Sequence, residues 1–299
     1  MRLADVTKLA PVLVVRDAEF DDLGLIGPSS NGALVYAVDE RALERLGPSP
    51  AAAVITTKEL AEELGDGMGI ATADEPEDVF YAIHRALHSR GDFYWRDFAT
   101  SIDPTAKIHE RAYVAPRNVR IGARVEIEPH VTVLERVSIG EDSIVRAGAV
   151  LGGEGFEFKG PAMRQGRASR AERDFGTRNV RVPHAGSVEI GPRVEIQANT
   201  AVDRSLFKSA TSIGADTKID NLVHVAHSVR IGRNCLIAAS TMIAGSTTIG
   251  DEVWIGPGSV ISSGLRIGDR AAIVIGSTIT RDVDPGTRIA SDLKTYRLP

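Results

Sequence analysis

Every sixth residue over a long stretch of this chain is isoleucine or valine. The row runs without a break through Ile213, Ile219, Val225, Ile231, Ile237, Ile243, Ile249, Ile255, Ile261, Ile267, Ile273 and Ile279. An α-helix repeats every 3.6 residues and a strand every two, so neither produces this pattern. A six-residue period predicts a parallel β-helix, in which each hexapeptide supplies one short strand and one corner and three hexapeptides make a coil. Residues 18 positions apart then lie one above the other, at the strand spacing of about 4.8 Å.

The same period occurs earlier in the chain and is interrupted twice. The earlier members are Ile121, Ile127, Val133, Ile139, Val145 and Leu151, then Ile190, Ile196 and Val202, with Ile102, Ile108 and Val114 preceding them one residue out of phase. Residues 152–187 and 203–212 are therefore excursions from a regular solenoid, and such loops often carry function. The larger excursion contains Arg164, Arg167, Arg170, Arg173, Arg178 and Arg181. These arginines form either a solvated loop or a basic lip for a phosphate or an acidic carrier protein.

The period also divides the chain into domains. Residues 1–100 lack it and alternate strand-like pieces, such as 33–38 and 52–56, with helix-like ones, which predicts a small α/β domain. Residues 101–290 form the β-helix domain, which includes the excursion at 152–187. Residues 291–299 are a short C-terminal tail.

Composition narrows the class of protein. A net charge of −5 disfavours bulk binding to nucleic acid, which requires a basic face. No apolar run approaches the ~20 residues of a membrane span, and the N-terminal sequence does not read as a signal peptide. We therefore expect a soluble, cytoplasmic protein with no membrane span and no nucleic-acid partner.

The densest polar cluster lies on the unbroken part of the period, at residues 219–228. The 18-residue step places Ser209 below His227 and Gly245 above it. A glycine above a histidine leaves space over the imidazole and bares a backbone N–H, and Asp220 lies one hexapeptide earlier. A base, an orienting carboxylate and an oxyanion donor suit acyl transfer. The alternative is that these polar residues only form and solvate the corners.

Metal and phosphate sites are weaker alternatives. His224 and His227 could bind zinc only with a third ligand from a neighbouring subunit. His84 and His88, four apart on a predicted helix, either grip a metal or belong to a solvated helix face. The glycine-rich segment 152–156 precedes neither a GK[ST] motif nor an evident helix, which disfavours a phosphate loop. We expect no bound metal.

Several non-repeat blocks carry a more specific signal. Segments 152–156 (GGEGF), 182–191 (VPHAGSVEIG), 194–204 (VEIQANTAVDR) and 218–227 (KIDNLVHVAH) occur in this order. Over residues 100–290 the chain resembles the UDP-3-O-(3-hydroxyacyl)glucosamine N-acyltransferases of the lipid A pathway. The resemblance implies a left-handed β-helix and a homotrimer with active sites between subunits.

The resemblance also implies roles for individual residues. His227 matches the family's general base, Asp220 its carboxylate partner and Gly245 the glycine whose N–H holds the oxyanion. We expect the substrate to be bound by Tyr36, Asp39, Asn221, His224, Phe156 and His184.

Three departures from the family pattern concern recognition. Gly264 stands where the family has a second active-site histidine. In the stretch that matches the uracil-binding segment, Tyr36 is retained, Asp39 replaces Asn and Ala42 replaces the second aromatic ring. We expect no counterpart of the family's C-terminal helices. These departures imply a relative that acylates another nucleotide-linked sugar or uses another donor.

The sequence therefore predicts an acyltransferase that moves an acyl group from acyl carrier protein or CoA to an amine of a nucleotide-linked sugar, with UDP as the expected nucleotide. No cofactor is expected to stay bound, because the acyl thioester is a co-substrate. The alternatives are a CoA-dependent sugar O- or N-acetyltransferase, a non-catalytic β-helix binding module and a trimeric zinc hydratase.

Overall fold

The computed structural model describes residues 1–27, 30–159 and 179–291. The chain forms two compact units, Met1–Arg96 with Phe156–Pro183, and Asp97–Gly155 with His184–Pro299. Five arginines of the larger excursion, Arg164, Arg167, Arg170, Arg173 and Arg178, lie outside the described residues, as does the tail from residue 292.

The first unit contains a five-stranded sheet and its helices. The strands are Leu13–Arg16, Asp22–Leu23, Ala33–Tyr36, Ala53–Thr56 and Gly69–Thr72; the helices are a 3₁₀-helix at Leu3–Lys8 and α-helices α1 (Glu40–Leu46), α2 (Lys58–Ala61) and α3 (Pro76–Arg90). Ala53–Thr56 and Gly69–Thr72 pair in parallel and are buried along their whole length, as strands covered on both faces are. Leu13–Arg16 closes one edge in the antiparallel direction.

Part of the larger excursion packs within this first unit. Its strands Phe158–Lys159 and Val180–Arg181 pair antiparallel. The Lys159 ammonium lies 3.3 Å from Glu77 on α3 and 4.5 Å from the centre of the Tyr81 ring. The assignment of 152–187 to the β-helix domain is therefore wrong for this segment, because an ion pair and a cation–π contact hold it to α3.

The second unit is a parallel β-helix with three faces. The first face stacks Lys107–Ile108, Glu126–Ile127, Ile144–Val145, Glu195–Ile196, Lys218–Ile219, Leu236–Ile237, Trp254–Ile255, Ala272–Ile273 and Arg288–Ile289. The second face stacks Tyr113–Val114, Thr132–Val133, Val150–Gly153, Ala201–Asp203, His224–Val225, Met242–Ile243, Val260–Ile261 and Thr278–Ile279. The third face stacks Ser101–Ile102, Val119–Ile121, Val137–Ile139, Ser187–Ile190, Ala210–Ile213, Arg230–Ile231, Thr248–Ile249 and Arg266–Ile267.

Along the unbroken row from Ile213 to Ile279 the strand register follows the 18-residue step. Ile219 pairs with Ile237, and Ile237 with Ile255. Across the two excursions the step changes, because Leu151 pairs with Val202 and Val202 pairs with Val225. His227 lies two residues past Val225, and the residue two past its partner Val202 is Arg204. The expectation that Ser209 lies below His227 is therefore wrong.

The corners use a left-handed backbone conformation at a regular position, three residues after each inward residue. Leu222, Ser228 and Ser246 adopt positive φ there. Gly264 occupies the same position with φ +73°, and nothing lies near the position of a Cβ on it. A residue without a Cβ adopts this conformation freely, so the backbone conformation of the corner accounts for a glycine at position 264.

The core of the second unit is the six-residue row itself. Its twelve members are all buried, and they pack against Val223, Val229 and Cys235 from the intervening positions. Burying one such aliphatic side chain stabilises the fold by about 1.5–3 kcal/mol. Within the three described ranges, none of the helices combines the length and the apolar character that a membrane crossing requires.

Candidate active site

His227 lies directly under Gly245, at the corner between the second and third faces. A Cβ built on Gly245 would fall 2.7 Å from both Cε1 and Nε2 of the His227 ring. Ala244 and Ser246 donate their backbone N–H groups to Ile261 and His227, while the Gly245 N–H meets no acceptor within the described parts of the chain. The stacking expected from the 18-residue step is therefore present, with a backbone donor available beside the imidazole.

A second imidazole adjoins the first. His184 is fully buried, and its ring meets that of His227 edge-on with the ring centres 5.3 Å apart. It stands three residues before the strand Ser187–Ile190, where the chain re-enters the β-helix after the larger excursion. The structure thus brings His184 and His227 together although 43 positions separate them in sequence.

Asp203 completes the cluster. Its Oδ2 lies 3.0 Å from Nε2 of His224, and this hydrogen bond raises the pKa of His224 above its ordinary value. Asp203 as a whole residue is 9% exposed. Its Oδ1 lies 3.3 Å from the Cβ position of Gly153, and its Oδ2 lies 3.4 Å from that of Gly155. The Cβ position of Gly155 is also 2.8 Å from Nε2 of His184 and 3.1 Å from Cδ2 of His227.

The glycine-rich segment therefore has a structural explanation. A side chain at Gly155 would collide with His184, and one at Gly153 would press on Asp203. Because the backbone here packs on a carboxylate, a phosphate at the same place would be repelled. This contact argues against a phosphate loop, as the sequence motif did.

Asp220 does not reach His227 within one chain. Asp220 follows Lys218–Ile219 on the first face, whereas His227 follows His224–Val225 on the second, so the two lie at different corners of the coil. The Asp220 carboxylate accepts hydrogen bonds from the N–H groups of Asn221 and Ala239. The predicted pairing of Asp220 with His227 is therefore not formed inside a chain, because the width of a face separates them.

Asn221 serves the same corner as Asp220. Its side-chain amide donates to Asp220 over 2.7 Å, and its carbonyl oxygen accepts from the Ala198 N–H over 3.1 Å. These bonds stabilise the turn between coils. The structure does not bring Asn221 to the histidine cluster, and its substrate contact remains a prediction.

The remaining predicted residues belong to the first unit. The Tyr36 ring packs on Phe80 with centres 5.0 Å apart, its hydroxyl donates to Glu77, and burial raises its pKa. Asp39 is the N-cap of α1 and accepts from the Ala42 N–H over 2.8 Å. Phe156 is 91% exposed. Tyr36 and Asp39 therefore have structural roles that the prediction of a uracil site did not include.

His84 is neither a metal ligand nor a surface residue. It is fully buried, its Nδ1 lies 2.6 Å from the Tyr94 hydroxyl, and its Nε2 lies 2.7 Å from the Pro183 carbonyl oxygen. A carbonyl only accepts, so Nε2 carries the proton and Nδ1 accepts from Tyr94. Both predicted alternatives for His84 are wrong, because the helix face is packed. Over the described ranges, no cluster of three or more His, Cys, Asp or Glu side chains could hold a metal ion.

Asp203 is the member of the site that reasoning from the sequence missed. The segment 194–204 contains it, but it stands at the start of the smaller excursion, where the 18-residue step no longer applies. An acidic residue at the end of a strand that otherwise carries Ala201 and Val202 was the available signal.

Comparison with known proteins defines the class first. The family model for the bacterial transferase hexapeptide (six repeats) matches residues 118–153 and 210–245, and that for the hexapeptide repeat of succinyl-transferase matches 228–263 and 246–281. Together with the three-faced coil, these matches make the chain a hexapeptide-repeat transferase.

The curated relatives define the family. The chain is 33% identical over 270 residues to the UDP-3-O-acylglucosamine N-acyltransferase of Maricaulis maris, a match that spans 80% of this chain and 72% of the relative. It is 31% identical over 256 residues to the enzyme of that name from Bordetella pertussis, spanning 73% of this chain and 65% of the relative, less than two thirds of its length. The chain belongs to the UDP-3-O-acylglucosamine N-acyltransferase family and is an acyltransferase.

Solved structures with similar repeats are more distant. The Arabidopsis UDP-N-acetylglucosamine acyltransferase matches with 20% identity and a TM-score of 0.47, over 64% of this chain and 71% of that one. The corresponding enzyme of Bacteroides fragilis matches with 24% identity and a TM-score of 0.43, over 62% of this chain and 67% of that one.

Proposed function

We propose that this protein transfers an acyl group from a thioester, carried by acyl carrier protein or by CoA, to the amino group of a UDP-linked amino sugar. The observation that carries the proposal is the stack of His227 under Gly245, which sets a base beside an available backbone donor. The named activity of the relatives supports the amine acceptor and the UDP group. The handedness expected for the coil is left, by analogy with the family.

The stack suits each step of the transfer. His227 removes a proton as the nitrogen attacks the thioester carbonyl, and a positioned base typically contributes about 10²–10⁴-fold. The Gly245 N–H donates to the oxyanion that develops, and one such donor contributes about 10²–10³-fold. The thiolate then leaves with the proton that His227 holds.

We further propose that the active unit is a homotrimer. Leu236 and Trp254 lie one above the other on the first face and are each nearly half exposed, and Leu222 is exposed at the adjoining corner. An apolar surface of this kind marks a protein interface. Since Asp220 sits at that corner and cannot reach His227 of its own chain, its proposed partner is His227 of a neighbouring subunit.

Two variants test the catalytic role. His227→Ala should lower kcat by at least about 100-fold with UDP-3-O-acylglucosamine as acceptor, while the oligomer elutes unchanged from a sizing column. His130→Ala is a matched control, because His130 is an exposed corner histidine of the same β-helix. If His227→Ala kept more than about a third of the wild-type turnover, His227 would not be the base. Wild-type protein saturated by acetyl-CoA without carrier protein would favour an acetyltransferase.

Subunit mixing tests the shared site. His227→Ala and Asp220→Ala chains, each inactive alone, are unfolded together and refolded. If Asp220 acts on a neighbour's His227, mixed trimers contain some intact pairs, and part of the activity returns. If both residues had to be intact in one chain, no mixed trimer would contain an intact pair, and no activity would return.

A further inference from the structure

We propose that Asp203 and His224 form a second proton-accepting pair, which binds the acceptor amine as its ammonium ion and takes the first of the two protons that the nitrogen must lose. This inference rests on the proposed acyl transfer to an amine. It assigns the pair a task that an amine acceptor requires and a hydroxyl acceptor does not.

The amine nitrogen loses two protons in the reaction, so the reaction requires two proton acceptors. An alkyl amine is largely an ammonium ion near neutral pH, and the amide product carries a single N–H. In the first step an N–H bond of the ammonium breaks, the electron pair stays on nitrogen, and the proton passes to the Asp203–His224 pair. In the second step nitrogen forms a bond to the thioester carbon, and its next proton moves to His227. The C–S bond then breaks, and the thiolate leaves as a thiol with that proton.

Asp203 and His227 are two distinct proton acceptors at one site. Oδ2 of Asp203 and the His227 ring both lie against the Cβ position of Gly155, at 3.4 and 3.1 Å. The carboxylate and the base are therefore neighbours, with Gly155 packed against both. A buried carboxylate favours a cation beside it, because opposite charges attract more strongly where water is largely excluded.

The exit for the first proton is His224. Its Nε2 meets Oδ2 of Asp203 at 3.0 Å, and 46% of its side chain is exposed. In the tautomer that carries its proton on Nδ1, the neutral imidazole can accept at Nε2 a proton taken up by Asp203, and the imidazolium that forms then releases a proton from its exposed ring to water. The raised pKa of His224, caused by the Asp203 bond, favours this proton transfer.

Within the described ranges, two histidines and an arginine lie near the pair. His184 and His227 adjoin it through Gly155, and the Arg204 Nε donates to the Gly152 carbonyl oxygen over 2.8 Å. The strand neighbours of His224 in the coils below and above are Ala201 and Met242, which do not titrate.

The test compares an amine acceptor with its hydroxyl counterpart. Initial rates are measured for UDP-3-O-acylglucosamine and for UDP-3-O-acylglucose, from pH 6 to pH 9, in the wild type, Asp203→Asn and His224→Gln. Asp251→Asn and His109→Gln are the controls, since His109 is exposed and Asp251 is a partly exposed carboxylate that pairs with Arg233 rather than with a histidine. Circular dichroism and sizing columns verify that each variant folds and assembles.

The inference predicts a defect that depends on acceptor and pH. Asp203→Asn should raise KM for the amine acceptor about 10- to 100-fold at low pH, the size expected for losing a hydrogen bond to a charged group. The defect should shrink as pH rises and the amine becomes neutral. His224→Gln should leave KM nearly unchanged and lower kcat at low pH. Any slow turnover of the hydroxyl acceptor should lack this pH-dependent defect in both variants.

The outcomes separate the two proposals. A wild type that does not acylate the amine acceptor would refute the proposed function itself. An active wild type, with Asp203→Asn equally impaired at every pH or not impaired, would refute the role of the pair. If Asp203→Asn fails to fold, the pH dependence of kcat in His224→Gln decides the question in the same way.

Discussion

Replacing Gly245 by alanine should inactivate the enzyme without unfolding it. The added methyl group would lie 2.7 Å from two atoms of the His227 ring, whereas non-bonded carbons pack at about 3.5–4.0 Å. The imidazole must therefore move by roughly 1 Å. A displacement of this size at a reacting group costs about 100-fold in rate, and we expect a similar loss of kcat in Gly245→Ala.

The backbone at this position tolerates a side chain. Ala239, Arg233 and Asp251 occupy the equivalent place in other hexapeptides without positive φ. The conflict in Gly245→Ala is thus confined to the end of one flexible side chain, and the melting temperature should fall by no more than a few degrees.

A double-variant cycle identifies the cause of the loss. Acyl transfer to UDP-3-O-acylglucosamine is measured in His227→Ala, Gly245→Ala and the double variant. If alanine acts by displacing the imidazole, the double variant should be no slower than His227→Ala, because the two changes remove one interaction. Losses that multiply, or a Gly245→Ala protein with more than a third of wild-type activity, would refute this reasoning.

Three further predictions concern the first unit and the core. Burial lowers the pKa of His84 to about 4 from an ordinary value of 6.5, so the unfolded chain binds a proton that the folded chain does not. The free energy of unfolding should therefore decrease as pH falls from 6.5 to 4, by up to about 1 kcal/mol per pH unit. Urea titrations at several pH values should show that this free energy depends less on pH in His84→Gln. Ile237→Ala should cost about 2–5 kcal/mol and Ile237→Val about 0.5–1.5 kcal/mol by the same titration, since Ile237 is buried between two identical neighbours. Asp39→Ala should destabilise the protein by about 1 kcal/mol while Asp39→Ser does not, because serine also caps helices; a raised KM for the UDP sugar in Asp39→Ser would show that Asp39 binds the nucleotide as well.

The parts of the site that were predicted correctly lie within an uninterrupted repeat. His227 and Gly245 are one coil apart with no excursion between them, so counting residues was enough to stack them. The same counting placed Ser209 below His227, which is wrong because the smaller excursion adds residues to that coil. It does not bring Asp220 to His227 of the same chain, because the strands that precede them lie on different faces of the coil. A pairing of Asp220 with His227 of a neighbouring subunit stays a prediction.

The positions of the residues that adjoin His227 and Gly245 depend on segments outside the repeat. His184 and Asp203 stand where the chain enters or leaves an excursion, and Gly155 lies at the start of the larger one. No sequence period relates these positions. Their proximity follows from where each excursion ends on the scaffold, which depends on packing between groups distant in the chain.

The amino-acid sequence alone determined the β-helix, its inward row and the stacking of His227 under Gly245, because strand pairing in a regular coil is local and repeats with a constant step. Only the tertiary structure decided that Asp203, which is hydrogen-bonded to His224 and packs near two glycines, lies beside the histidines. It also decided that Tyr36 packs on Phe80 and that Asp39 caps a helix. The physical reason is that the length and path of an excursion leave no periodic trace, while the contacts at its ends depend on which surfaces fit together.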